Sequence, residues 1–305
     1  MIGYYVQLLM HLLLQLINFW YLSSYYEDKY FLKSKMKKMK IIKIVVLILI
    51  SNTIFGQEKI NDILKYEISY NYTFQINNED SSNIKSENML LKIGDRISEY
   101  TSYNMAIVKD KIKGMALSGG NVDFRNMPKA TIIYRVIKDK IKDEMLFFNI
   151  FGTTKMFYKE PLIQMEWSLM NEEREILGYK CKKATTTYSG REYTAWYSID
   201  IIISEGPYKF NGLPGLILSI KDTKNHHSFE VNGIKKINEV YNLDYENHIK
   251  VTKNEYVQTV NKIKEKPSLM AVSELMEFPK EMLDKMDLNG KKLFKYENNP
   301  IELKD

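Results

Sequence analysis

Lys65-Tyr66-Glu67-Ile68-Ser69-Tyr70-Asn71-Tyr72-Thr73-Phe74-Gln75-Ile76 alternates without a break. Tyr66, Ile68, Tyr70, Tyr72, Phe74 and Ile76 fall on one side, and Lys65, Glu67, Ser69, Asn71, Thr73 and Gln75 on the other. A helical winding would scatter both sets around its circumference. The stretch therefore predicts an antiparallel strand with one packed face and one wet face. The chain carries 22 tyrosines, a residue suited to half-buried pleated surfaces, so sheet is favoured beyond this strand.

Working downstream, residues 77–88 are polar apart from Ile84 and read as an exposed loop. Residues 89–93 and 96–103 form a hairpin candidate around Gly94-Asp95. Residues 104–130 are weakly patterned, with Gly119-Gly120 and Pro128 as breakers, and read as an irregular insertion. Strand-like runs resume at 131–138, 145–150, 153–158 and 162–170, the last carrying Trp167. Glu172-Glu173-Arg174-Glu175 reads as a charged turn, and runs 179–188 and 191–203 hinge at Ser189-Gly190. Short strands about ten residues apart predict a meander rather than βαβ units.

Gly206-Pro207 bends the chain before Gly212-Leu213-Pro214-Gly215, where proline at i+1 and glycine at i+2 predict a type II turn with positive φ at Gly215. Residues 216–220 then enter a strand apolar on both faces, and 228–234 return. Past residue 250 the period changes. Thr252-Lys253-Asn254-Glu255 is a capping box, with Tyr256, Val257, Val260 and Ile263 at helical spacing until Pro267; further helical stretches follow at 268–276 and 279–286. The expected fold is mainly β (α+β): one curved antiparallel sheet, up to an open half-barrel, with C-terminal helices packed on it. No repeat and no Pro- or Gly-rich linker divides residues 57–305, which read as a single β-rich domain.

The net charge of +6 is misleading until it is located. Residues 1–56 carry seven lysines against Glu27 and Asp28, which leaves +1 for the rest and no argument for a nucleic-acid partner. Residues 36–56 read as a signal peptide: basic Met36–Lys40 with Lys43, apolar Ile44–Ile50, then Ser51–Gly56, with cleavage before Gln57. Residues 1–35 leave two readings. The preferred one is a start placed too early, with translation from Met36 or Met39. The other is an N-terminal membrane segment, Tyr4–Leu22, so that residues 1–50 would anchor the chain in the inner membrane. Export to the periplasm or cell envelope follows from the first, with membrane contact only through the leader. Cys181 is the single cysteine, so no internal disulfide forms, and a thiol with no nearby histidine reads as buried and inert.

Chemistry is sparse. His226-His227 would point to opposite faces of a strand, and no Cys/His spacing supports a metal, so the pair reads as a solvated hairpin tip. No Gly-x-Ser-x-Gly elbow or triad context is present, and no catalytic residue, metal or cofactor is assigned. The most interesting cluster is Arg191, Glu192 and Trp196. It reads either as a groove, with Trp196 as an apolar anchor and Arg191 or Glu192 giving specificity, or as structure, with Trp196 in the core and Arg191 paired to an acid at a strand end. The structural reading is favoured. Gly206, Pro207, Gly212, Pro214 and Gly215 read as fold punctuation.

Gly212-Leu213-Pro214-Gly215-Leu216-Ile217 resembles the signature of the GLPGLI family of exported Bacteroidota proteins. Gly178-Tyr179-Lys180-Cys181 with Ala184, Gly190-Arg191, Ala195-Trp196-Tyr197, Gly206-Pro207 and Asn299-Pro300-Ile301-Glu302-Leu303 are similar to its other segments, whereas Ile201-Ile202 stands where Ile-Pro is usual. That family has no settled activity. The resemblance implies an exported, non-enzymatic binding or envelope-assembly protein, holding an apolar small ligand or an envelope partner segment in the concave side of the sheet. The alternatives are an enzyme of unrecognised class, which convergent carboxylates or Arg191 beside His226 would favour, and a structural partner of an outer-membrane complex.

Overall fold

A computed structural model describes residues 60–118, 127–243, 245, 247–271 and 278–304. The leader, its cleavage site and the 1–35 alternatives lie outside the described residues, as do Gly119-Gly120 and residues 272–276 of the second helical stretch. The alternation of Lys65–Ile76 is realised in β1 (Ile60–Gln75), where Ile68, Tyr70 and Tyr72 are buried. It is followed by β2 (Ile84–Gly94), β3 (Ile97–Ser102), α1 (Tyr103–Ser118), β4 (Arg135–Asp139), β5 (Glu144–Phe151) and β6 (Thr154–Pro161). Then come β7 (Ser168–Ile176), β8 (Tyr179–Tyr188), β9 (Arg191–Ser198), β10 (Leu216–Asp222), β11 (His227–Leu243) and β12 (Ile249–Lys250). The helices α2 (Lys253–Glu265) and α3 (Lys280–Tyr296), with a 3-10 turn at Pro267–Met270 between them, close the chain.

The twelve strands form one open sheet in the order β12-β6-β5-β4-β3-β2-β1-β11-β10-β9-β8-β7. Every pair is antiparallel except β12 with β6. The mainly β architecture with C-terminal helices is as expected. Its centre is β1 with β11, and a bulge decides what they cover. Leu64 pairs with Gly94 but Tyr66 with Ile93, so one extra residue turns the strand over. Beyond the bulge Ile68, Tyr70 and Tyr72 face the main core with Leu91, Tyr100 and Phe229. Before it Ile60 and Leu64 face the opposite side, and with Tyr241, Leu243, Ile137, Leu146, Phe148 and Phe157 they form a second core.

Residues 199–215 do not run around the rim. The chain returns into the concavity and fills it with Tyr208, Phe210 and Leu213. The Phe210 ring meets Tyr193 at 4.8 Å, Tyr188 at 5.6 Å and Phe229 at 6.1 Å. Buried Lys138 ties the segment down, pairing with Glu205 at 2.9 Å and donating to the carbonyls of Phe210 at 2.8 Å and Gly206 at 3.2 Å. Burial pulls the Lys138 pKa below its ordinary value against the pull of Glu205.

Several local expectations change. Gly215 is not left-handed; positive φ falls on Gly212 (92°) and Tyr208 (54°) instead. Gly215 is required because a Cβ there would sit 2.1 Å from the Ser198 carbonyl oxygen, so the turn residue serves close backbone approach. The weakly patterned 104–130 begins with α1, none of whose described side chains is buried, and which so lacks a marked apolar stripe. The charged run 172–175 lies inside β7, an edge strand exposed almost throughout, where charge guards an unpaired edge. The turn follows it, at Leu177-Gly178. Residues 131–134 precede β4 rather than forming part of it.

Candidate functional site

Ser189 (φ 44°) and Gly190 (φ 81°) turn β8 into β9 with both residues left-handed, the conformation that matches strand twist in a tight hairpin. That places Arg191 at the start of β9, beside the neighbouring β10–β11 hairpin, whose tip Thr223 donates to the Glu192 carbonyl at 2.9 Å. Between the two tips lies the tail, residues 299–304. Together they line a pocket of about 310 Å³ bounded by Asn78, Arg191, Glu192, Asp222, His226 and Asn299 among others.

Arg191 is 5% exposed and fully engaged. Its Nη1 donates to Asp222 Oδ2 at 3.1 Å and lies 3.4 Å from His226 Nδ1. Its Nη2 donates to Asn299 Oδ1 at 2.7 Å and to the Pro300 carbonyl at 2.6 Å, and Nε to the Ile301 carbonyl at 3.2 Å. Asp222 Oδ1 accepts from the His227 backbone at 2.9 Å, so both its oxygens are taken. Glu192 is exposed at the mouth, and His226 is half-buried.

His227 is not at a solvated tip. It opens β11 at 2% exposure, with Nδ1 2.8 Å from the Tyr72 hydroxyl. Burial, reinforced by the charge of Arg191, pulls its pKa down to about 4, so the imidazole is neutral at pH 7. The turn residue Asn225 (φ 57°) lies two positions earlier, so His227 is already inside the strand.

A second buried cation lies deeper. Lys209 pairs with Glu160 at 2.7 Å and Glu302 at 2.8 Å, its ammonium standing 5.2 Å from the Phe147 ring centroid. Glu302 also accepts from Tyr188 at 2.7 Å and Tyr208 at 2.6 Å. Burial pushes Glu302 up, but Lys209 and the two hydroxyls outweigh it and hold the carboxyl below its ordinary range. Sequence reading did not reach Lys209, Asp222, Asn299 or Glu302 as site residues, although residues 299–303 carry part of the resemblance.

Of the three residues that the sequence singles out, Arg191 and Glu192 meet at the pocket. Trp196 lies on the opposite face of β9, half-buried, under the Arg174 guanidinium at 4.6 Å from its ring. It packs, partly buried, against the main core rather than filling it. Trp167, by contrast, donates to the Asn211 carbonyl at 2.8 Å and pins the filling segment beside Gly212. Gly206 and Gly215 are packed against Ile217 and Ser198. Cys181 is buried, and its thiol is pushed up to about 11 by that burial. Among the described residues no three His, Cys, Asp or Glu side chains converge to hold a metal ion, and no helix is long and apolar enough to cross a membrane.

The fold and site define a mainly β protein with one open sheet and a polar pocket at adjacent hairpin tips. Within it, the family described as "N-glycanase peptide, N-terminal domain" matches residues 148–273. Two solved structures of PNGF-II, in the P21 and C2 space groups, are similar at 20% identity each. Their TM-scores are 0.48 and 0.47, with 66% of this chain and 34% and 33% of theirs covered. The chain thus spans about a third of the length of the solved structures it matches. No curated protein matches the chain in sequence.

The match corrects the GLPGLI reading. Residues 148–273 include Gly212–Ile217, yet the family found there is the N-glycanase N-terminal domain. The non-enzymatic binding or envelope-assembly role that rested on the resemblance goes with it. The physical reason is visible in the fold. The hexapeptide is a packing device, with Gly215 against a backbone carbonyl and Leu213 and Leu216 in the core, and such a device specifies no function. The concavity expected to hold an apolar ligand is filled by the chain's own Tyr208, Phe210 and Leu213.

Proposed function

We propose that this chain is an exported module of N-glycoprotein processing, an N-glycanase-type N-terminal domain whose pocket at Arg191, Glu192, Asp222 and His226 binds carbohydrate. The observation that carries the reading is that the N-glycanase match, residues 148–273, encloses those four pocket residues. The chemistry agrees. Sugar hydroxyls donate and accept at once, and the pocket offers a carboxylate at Glu192, an imidazole at His226 and the Asn78 amide in one small space. Binding is preferred to catalysis by this chain alone because Arg191 and Asp222 are saturated by each other and by the tail.

The test is titration of residues 57–305 with chitobiose and with an Asn-linked glycopeptide, followed by calorimetry. Saturable binding that falls at least about tenfold in Glu192→Ala and His226→Ala is expected, roughly the loss of one good hydrogen bond each. A folded protein that takes up neither ligand overturns the reading. Arg191 beside His226, with two carboxylates near, favours one second reading, an amide-cleaving enzyme. Release of glycan from a denatured glycoprotein by the purified chain, seen as a mobility shift, would establish it.

A further inference from the structure

We infer that the channel holding residues 299–303 is a recognition groove for an extended Asn-Pro-x-Glu segment, filled in cis by the protein's own tail and able to take the same segment from a second copy. The tail has no helix or strand of its own, and its hold comes largely from side chains reading an extended backbone. Arg191 donates to two successive carbonyls, Pro300 and Ile301, and Tyr193 adds a hydroxyl to Ile301 at 3.3 Å. At the far end Leu303 N donates to the Ser189 carbonyl at 2.9 Å.

Two side chains give specificity. Asn299 is read at both ends of its amide: Oδ1 accepts from Arg191 at 2.7 Å and Nδ2 donates to the Gln75 carbonyl at 2.8 Å. Aspartate cannot make the second bond. Three residues on, Glu302 receives Lys209, Tyr188 and Tyr208 on one oxygen. Both cations of the groove are buried, so an empty groove leaves Arg191 and Lys209 short of acceptors. That demand is satisfied equally by a tail arriving from another chain. Upstream of the groove the chain is also held at Tyr296 and Asn298, by hydrogen bonds from Asn77 and Asn83 and from the Asn78 backbone in the turn after β1, whereas α3 itself has no fully buried side chain. The inference stands apart from the carbohydrate reading, since the tail forms one wall of that pocket rather than its ligand.

The experiment uses residues 57–305 with the 299–303 segment weakened, Asn299→Ala with Glu302→Gln. A fluorescent peptide of residues 297–305 is followed by anisotropy. The substituted chain should bind it at least about tenfold more tightly than the wild type, whose groove is occupied. The same peptide carrying Asn299→Asp should lose that advantage. Should the double variant not fold, the measurement is made on Glu302→Gln alone, which keeps the Arg191 contacts. A folded variant that ignores the peptide, or that binds the native peptide and its Asn299→Asp form alike, overturns the inference.

Discussion

Arg191, His227 and Gly215 are set by contacts within a few ångströms, and each makes a separate demand. His227 is buried neutral, with a folded pKa near 4 against an ordinary value of 6.5. Between those values the unfolded chain binds more protons than the folded one, so stability rises with pH through the window and is lost on acidification. The span corresponds to about 3 kcal/mol at most. Thermal unfolding should therefore show a steeper fall from pH 7 to pH 4.5 in the wild type than in His227→Gln; parallel curves would remove His227 from the acid response. At Gly215 a methyl group would stand 2.1 Å from the Ser198 carbonyl oxygen. Gly215→Ala should cost about 1–3 kcal/mol in urea unfolding, through backbone displacement rather than φ strain. Arg191 lies on the same strand face as Tyr193 and Tyr197, as alternation required, but apart from Asp222 its acceptors lie about a hundred residues away, where no local pattern points.

At the scale of elements, the readable signals were those with strong local physics. The Thr252–Glu255 capping box is present, with Glu255 N donating to Thr252 Oγ1 at 3.2 Å and Thr252 N to Glu255 Oε2 at 2.7 Å. Thr252→Ala should lower stability by about 1 kcal/mol and loosen the first turn of α2, measured by amide exchange there. Strands with one wet face alternated clearly, and β1, β8 and β9 follow their patterns. The elements that escaped were those without a buried side. α1 has no buried side chain among its described residues, and β7 is a charged edge, so neither shows the periodicity that burial imposes. Their amides should exchange ahead of those in β1 and β11, which sit at the centre of the sheet.

At the scale of the whole molecule, the fold depends on a segment that closes the concavity from inside. Lys138, itself almost inaccessible, holds Glu205 and two carbonyls of that segment. Lys138→Met should leave Glu205 buried without its cation and cost about 3–5 kcal/mol in denaturant unfolding, whereas exposed Lys180→Met should cost under about 0.5 kcal/mol. Equal effects would show that the segment is held by its aromatic rings alone. The pocket belongs to this scale too, since two hairpin tips and the tail must meet before Arg191, Asp222 and Asn299 share a space.

The sequence by itself determined the strands with one wet face, the turn at Ser189-Gly190 and the capped helix, because side-chain alternation, a left-handed glycine and capping hydrogen bonds act within a few residues. Only the tertiary structure decided which face each half of β1 buries, why Gly215 must lack a Cβ, and that His227 is neutral. It also decided that Arg191 and Lys209 find their counterparts in residues 299–302. Those outcomes rest on burial and on contacts between distant segments, and a desolvated charge takes whichever acceptor the packed chain brings to it.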